Sequence, residues 1–131
     1  MSIQRIPALT INKKGGNILQ LKIDSPFLLP QFQISEKMVI VLPPQAIGGN
    51  HMHPRTEICI ALSPELQLFW QENGVLHQEM LFHPGELVAY IIPSHLPHAV
   101  VNISRKNVAS MIEYANNTQH DVEHIEIVRP L

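Results

Sequence analysis

The apolar residues of this chain form short runs that either alternate with polar residues or end at prolines. Leu19, Leu21 and Ile23 alternate with polar residues, which is the period of a strand with one buried face. A second alternating run covers residues 66–71 and leads, through a short Glu-Asn-Gly turn, into residues 75–82. This order predicts a β-hairpin. No apolar run keeps a helical period over three turns, so the pattern predicts strands.

Further strands are predicted wherever an apolar run is bounded by Pro, Gly or Asn. The run at 38–42 is continuously apolar and reads as a strand buried on both sides. The remaining predicted strands cover residues 87–92, 98–103, 108–114 and 122–128. Nine or ten short strands about ten residues apart predict an all-β sandwich or small barrel in a single domain, residues 1–131. Little helix is expected, at most one turn near residues 63–64.

Ile58, Ile60 and Leu62 form one apolar face of a predicted strand, and Cys59 continues the face that carries the candidate ligands. This strand is therefore expected to be apolar on both faces. Each apolar face must be covered, so something has to pack on the outside of the barrel. Either a second sheet or a second subunit meets this need. We therefore expect a homodimer.

Composition excludes several classes of partner. The formal net charge is −2, and basic residues do not cluster, which argues against nucleic acid as a partner. Cys59 is the single cysteine, so no intrachain disulfide forms and a reducing compartment is expected. No apolar run approaches the roughly 20 residues of a membrane span. We expect a cytoplasmic protein that does not bind membranes.

Candidate chemistry concentrates in the segment His51-Met-His53-Pro-Arg55-Thr-Glu57. In an extended strand, residues at even separations point to the same face, so two imidazoles and one carboxylate are predicted to share one space. Imidazole nitrogens with one carboxylate oxygen suit Fe, Mn, Ni, Co or Zn as a divalent ion. A further ligand is expected from a facing strand. His98 is the candidate, because it begins a predicted strand directly after Pro97.

These two segments resemble the two sequence motifs of the cupin family. His51-x-His53-x-x-x-Glu57 is similar to the first motif, and Pro93 followed by His98 and Asn102 is similar to the second. The turn glycines of the family differ here: Gln45 and His95 occupy two of their positions. The motif-bearing core spans about residues 45–102, and the predicted strands extend the resemblance over nearly the whole chain.

The resemblance implies a double-stranded β-helix, often dimeric, with one divalent metal inside the barrel. His51, His53, Glu57 and His98 are then its ligands, and about two coordination positions stay open for water, dioxygen or substrate. Three function hypotheses follow. The first is a metal-dependent enzyme, an oxygenase, isomerase or lyase, acting on a small oxygenated or acidic metabolite. The second is a metal-free cupin that isomerises or epimerises sugar nucleotides with a histidine as base. The third is a non-catalytic cupin that binds a small ligand.

Four further residues are candidates for contact with that small-molecule ligand: Arg55, His95, Asn102 and Tyr90. Arg55 is the cation nearest the predicted ligands in sequence and would favour a carboxylate, enol or phosphate group. The cavity is expected to be mostly apolar, with Met52, Phe69 and Trp70 near it. The other histidines, at 77, 83, 120 and 124, are expected to have no role.

Overall fold

The computed structural model describes residues 2–130, and strands make up nearly all of its regular structure. The twelve strands in this part of the chain are β1 (Gln4–Pro7), β2 (Thr10–Lys13), β3 (Ile18–Leu21), β4 (Glu36–Leu42), β5 (Ile47–Met52), β6 (Glu57–Ala61), β7 (Leu66–Glu72), β8 (Val75–Met80), β9 (Val88–Ile92), β10 (His98–Asn102), β11 (Ala109–Ala115) and β12 (Glu123–His124). One 3₁₀ turn covers Lys14–Gly16. Within residues 2–130, no helix has the length and apolar character needed to cross a membrane. The predicted all-β class is confirmed.

The strands form two five-stranded antiparallel sheets and a small hairpin. Sheet 1 has the order β1-β9-β6-β11-β4, and sheet 2 has the order β12-β5-β10-β7-β8. The hairpin pairs β2 with β3. Neighbouring strands in each sheet are mostly distant in sequence, as in a jelly roll, so the predicted double-stranded β-helix is confirmed.

The central strands of sheet 1 are buried on both faces. Its inner face packs against sheet 2 through residues such as Tyr90, Ile92 and Leu68. Its outer face, which includes Ile58 and Ile60, is covered by Phe27, Leu29, Phe32 and Ile34 of the same chain. The outer face of β6 therefore has a cover within the same chain, whereas Leu62 after β6 and Val39 and Val41 on β4 are exposed. The homodimer stays a prediction.

Several predicted elements need correction. The run at 38–42 belongs to β4, an edge strand, and Val39 and Val41 are 69% and 60% exposed, so this strand is not buried on both sides. Of the predicted strand at 122–128, only Glu123–His124 pairs. The polar strands β1 and β2 were not predicted, because their sequences lack apolar alternation. Residues 63–64 form a bend and a turn rather than a helical turn.

The chain changes sheets between β5 and β6. His51 lies near the end of β5 in sheet 2, whereas Glu57 begins β6 in sheet 1. The prediction of one extended strand from 51 to 57 is therefore wrong. The side chains still meet, because residues 53–56 cross from one wall of the barrel to the other.

Close packing of β5 on β10 requires a glycine. His98 pairs with His51, and a register shift follows directly after it. Gly49 has φ +96°, and a Cβ at this position would lie 2.9 Å from the carbonyl oxygen of His98. A side chain there would separate the two strands that carry His51 and His98.

Candidate active site

The structure brings the four predicted metal ligands together. His51, His53, Glu57 and His98 each offer one ligand atom, and these atoms all lie within 4.8 Å of one another. The three imidazole rings are mutually edge-on, with centroids 4.7, 4.9 and 5.1 Å apart. Folding therefore places three imidazoles around one carboxylate, although their residues come from both sheets and the crossing between them.

The Glu57 carboxylate lies at the centre of this group and is 2% exposed. Its Oε1 is 3.1 Å from His98 Nε2, and its Oε2 is 3.2 Å from His53 Nε2. Burial opposes ionisation of Glu57, but the hydrogen bond from His98 and the nearby charge of His98 and His53 lower its pKa below the usual range. Glu57 is therefore a buried carboxylate, and it requires positive charge beside it.

The orientation of His53 and His98 is fixed by the backbone. His98 Nδ1 lies 2.8 Å from the carbonyl oxygen of Leu96, and His53 Nδ1 lies 3.3 Å from that of Arg55. A carbonyl oxygen only accepts, so each Nδ1 must donate, and each Nε2 is directed at Glu57. Two acceptor atoms would repel at 3.1–3.2 Å, so each Nε2 needs a proton or a metal cation between it and the carboxylate.

The donor set fits a divalent transition metal. Bonds of about 2.1 Å place neighbouring ligand atoms roughly 3.0 Å apart and opposite ones roughly 4.2 Å apart. The two Glu57–histidine distances match the first spacing. His53 Nε2 is buried and, among the described residues, has no aligned hydrogen-bond partner, even though Glu57 Oε2 is 3.2 Å away. A metal ligand would have this geometry, with its Nδ1 held by a backbone carbonyl.

His51 is the most open of the three imidazoles. It is half-buried and lines the cavity described below, whereas His53 and His98 are buried. Burial, together with the nearby His98 and His53, lowers the pKa of His51 to about 4. His51 is thus a neutral imidazole at neutral pH, facing the space where a small molecule would bind.

Arg55 holds the carboxylate from the other side. It is 3% exposed, its Nε donates to Glu57 Oε2 at 2.9 Å, and its Nη2 forms an ion pair with the same oxygen at 2.7 Å. The other guanidinium hydrogen bonds go to Glu36 Oε1, Gln119 Oε1 and the carbonyl oxygen of Asn117. These contacts direct most of the guanidinium group at the protein. Arg55 therefore supports Glu57, and because it also lines the cavity described below, its contact with a small ligand stays a prediction.

A cavity of about 240 Å³ lies between the two sheets next to this cluster. Its polar lining consists of His51, Arg55, Glu57, Cys59, His98, Glu113 and Gln119. Its apolar lining includes Met38, Ile40, Leu42, Ile92, Val100 and Met111. The cavity has the expected apolar wall, but different residues form it, since Met52, Phe69 and Trp70 are not part of the lining.

Three predicted ligand-contact residues lie elsewhere. Asn102 is fully buried, and its amide binds the carbonyl oxygens of Leu42, Pro43 and Asn107, so it holds a turn. The Tyr90 hydroxyl donates to Glu79 Oε2 at 2.6 Å. His95 is exposed and has φ +63°, the conformation for which the family motif uses glycine. None of the three lines the cavity. This cavity therefore gives no support to the predicted ligand contacts of Asn102, Tyr90 and His95, which stay predictions.

Sequence reasoning missed Glu113 and Gln119. Glu113 stands alone in the apolar run of β11, and a single carboxylate in a buried strand is a signal that was available. Gln119 lies in an irregular polar segment that offered no such signal. Two histidines expected to have no role also make contacts. His83 lies 2.6 Å from the Tyr90 hydroxyl, and His77 stacks on Trp70.

The fold and the paired motifs define a cupin. The chain matches the cupin family model over residues 3–129 and therefore belongs to that family. No curated protein matches the chain at a significant level.

Three of the similar solved structures are described as isomerases. A 3,4-ketoisomerase from Helicobacter canadensis has a TM-score of 0.72 at 16% identity, covering 95% of this chain and 91% of that one. A dTDP sugar isomerase from Desulfovibrio desulfuricans has a TM-score of 0.70 at 20% identity, covering 93% and 82%. A mutant of the 3,4-ketoisomerase QdtA from Thermoanaerobacterium thermosaccharolyticum, in complex with TDP-4-keto-6-deoxyglucose, has a TM-score of 0.67 at 16% identity, covering 91% and 83%. At these identities the likeness shows the shared fold.

Proposed function

We propose that this cupin is an isomerase that moves a proton next to the carbonyl group of a keto sugar nucleotide. The observation that carries the proposal is the placement of His51. It is an imidazole on the cavity wall, more open than its two neighbours, whose Nε2 atoms are directed at Glu57. The substrate class comes from the similar ketoisomerases, so the second of the three function hypotheses is favoured.

The size of the cavity limits which part of the substrate enters. About 240 Å³ is less than the roughly 300–1,000 Å³ of pockets that enclose whole drug-sized ligands. A single sugar ring is a suitable occupant, with the nucleotide remaining outside the barrel. The apolar wall would face the carbon skeleton of the ring, and the polar groups would face its oxygens.

The reaction needs a base that reaches a carbon-bound proton. His51 takes the proton from the carbon beside the carbonyl, and it later returns a proton to the neighbouring carbon. Arg55, His53 and His98 keep Glu57 ionised and fixed, so that the rings around it keep their positions. The burial of this network excludes water from the space next to His51.

Replacing His51 with Gln tests this role. The amide keeps much of the shape but cannot accept a proton, so kcat for isomerisation should fall by about 10²–10⁴-fold while nucleotide-sugar binding persists. Product formation is followed by chromatography and binding by calorimetry. His77→Gln is the matched control, because His77 does not line the cavity. Full activity in His51→Gln would contradict the proposal.

The ligand cluster favours a second candidate, a metal-dependent enzyme. Its specific observation is the convergence of four ligand atoms within 4.8 Å, including the buried His53 Nε2. His51, His53, Glu57 and His98 would hold one divalent ion, which supplies Lewis acidity or a site for dioxygen when bound. Elemental analysis of protein purified without added metal separates the two candidates. Stoichiometric metal, with activity lost on chelation and restored by the ion, supports the second.

A further inference from the structure

Glu113 places a second carboxyl group in the same cavity. It lies on β11 of sheet 1 and lines the cavity, as does His51 from sheet 2. Its strand neighbours are Met38 on β4 and Cys59 on β6. The mechanism above gives Glu113 no role.

Protein contacts leave this carboxyl weakly held. Glu113 is 8% exposed, and the Cys59 thiol is 3.9 Å from its Oε1. Arg55 Nη2 is 3.6 Å from its Oε2, beyond a normal hydrogen bond, and instead pairs with Glu57 Oε2 at 2.7 Å and donates to Gln119. A buried carboxyl with such weak partners destabilises a fold unless it is protonated. The position is therefore unfavourable for stability alone and points to a role toward a bound molecule.

The surrounding charges agree with a protonated group. Burial raises the pKa of Glu113 to about 7, and the negative charge of Glu57 contributes in the same direction. Arg55 and His53 oppose this shift, and Cys59 is the other titratable neighbour. A carboxyl group that keeps its proton near neutral pH is suited to donate to a carbonyl oxygen.

We propose that Glu113 is the second proton-transfer group of this site, donating to the carbonyl oxygen of the sugar from the wall opposite His51. This inference rests on the proposed isomerase function and adds a catalytic residue to it. One group on each wall lets a proton leave carbon on one side while another reaches oxygen on the other side.

The isomerisation takes two proton-transfer steps. First, His51 removes the proton from the carbinol carbon, and the Glu113 carboxyl protonates the carbonyl oxygen, which yields a neutral enediol. Second, the Glu113 carboxylate takes the proton of the other hydroxyl group, and protonated His51 delivers its proton to the former carbonyl carbon. The carbonyl group has then moved by one carbon, and both residues have returned to their starting states.

Replacing Glu113 with Gln tests the assignment directly. The amide keeps the shape but cannot deliver a carboxyl proton, so kcat should fall by about 10²–10⁴-fold while sugar-nucleotide binding stays within a few-fold of wild type. Glu86→Gln is the matched control, since Glu86 is exposed and distant from the cavity lining. Wild-type activity in Glu113→Gln overturns the inference and leaves the proposed function standing.

Chemical rescue separates proton transfer from a structural role. Glu113→Ala opens space beside the cavity, and formate or acetate should restore part of its lost activity with saturation. Chloride at the same ionic strength serves as the control. Failure of both carboxylic acids in a folded, substrate-binding Glu113→Ala protein overturns the inference. If wild type itself acts on no keto sugar nucleotide, the proposed function fails and this inference fails with it.

Discussion

At the scale of single residues, Arg55 is the guanidinium cation paired with the buried Glu57 carboxylate inside the barrel. Both residues have side chains that are 3% exposed, and two nitrogens of Arg55 contact Glu57 Oε2. Arg55 also ties the cluster to Glu36 on β4 and to Gln119 in the segment that follows β11. One guanidinium group thus links the ligand cluster to two other parts of the chain.

Removing the Arg55 guanidinium group should lower the stability of the fold. Arg55→Ala leaves a buried carboxylate without its partner, which typically lowers the free energy of unfolding by about 3–5 kcal/mol. Arg55→Lys should recover only part of the loss, because an ammonium group cannot reproduce the fork of hydrogen bonds. Urea unfolding measures both variants against Arg105→Ala, which removes an exposed arginine. A loss in Arg55→Ala no larger than that of the control would contradict the buried ion pair.

Glu113 should make stability depend on pH. Its pKa is raised from 4.5 to about 7 in the folded protein, so between these values the folded state keeps a proton that the unfolded chain has released. Wild type should therefore lose stability as pH rises through this range and level off above it. Glu113→Gln cannot titrate, so its stability relative to wild type should increase from pH 5 to 7. Urea unfolding at several pH values measures the difference, and a constant difference would contradict the raised pKa.

At the scale of elements, the pairing of β5 with β10 sets the distance between His51 and His98. Both residues lie opposite each other, and Gly49 allows the strands to approach. Gly85 is a useful comparison, because it has a similar φ of +82° but nothing within 4 Å of the position of a Cβ.

Alanine at these two glycines should separate backbone strain from close packing. Gly85→Ala should lower the free energy of unfolding by about 1–2 kcal/mol because of its positive φ alone. Gly49→Ala should lower the free energy of unfolding by about 1–3 kcal/mol more, because its Cβ would collide with the backbone of β10. It should also move His51 and reduce activity, whereas Gly85→Ala should not. Equal losses of stability and activity in the two variants would show that the close approach is unimportant.

The same elements explain how much the sequence could predict. Alternation and turn residues predicted the hairpin of β7 and β8, and motif spacing predicted that His51, His53, Glu57 and His98 converge. The change of sheet at residues 53–56 was not predictable from strand parity, because parity assumes a continuous strand. The position of Asn102 away from the cavity was not predictable for a different reason. A motif position specifies a residue type, but the contacts of that residue depend on the loop that packs against it.

At the scale of the whole molecule, the two sheets contribute different chemistry to one cavity. Sheet 2 supplies His51 and His98, and sheet 1 supplies Glu57 and Glu113. A jelly roll brings such distant residues together because its sheets face each other across one core. The barrel therefore places His51 and His98 on one wall of the cavity and the two carboxyl groups on the other.

The assembly state is a separate question at this scale. The chain's own residues cover the centre of the outer face of sheet 1, whereas Val39 and Val41 at its edge are exposed, so the homodimer stays a prediction. Sedimentation velocity at tens of micromolar measures the state directly. A species of twice 14.8 kDa would support the homodimer, and a single 14.8 kDa species would contradict it.

The most direct test of the central claim is proton exchange at the substrate carbon. Wild-type protein is incubated with TDP-4-keto-6-deoxyglucose in D₂O, and deuterium on the sugar is followed by NMR. Proton transfer by His51, with exchange of its proton for solvent deuterium, predicts deuterium at the original carbonyl carbon and at the carbon next to it. His51→Gln should reduce the rate of this incorporation to background. A wild-type protein that neither incorporates deuterium nor moves the carbonyl group would contradict the assignment of this cavity as a proton-transfer site for keto sugar nucleotides.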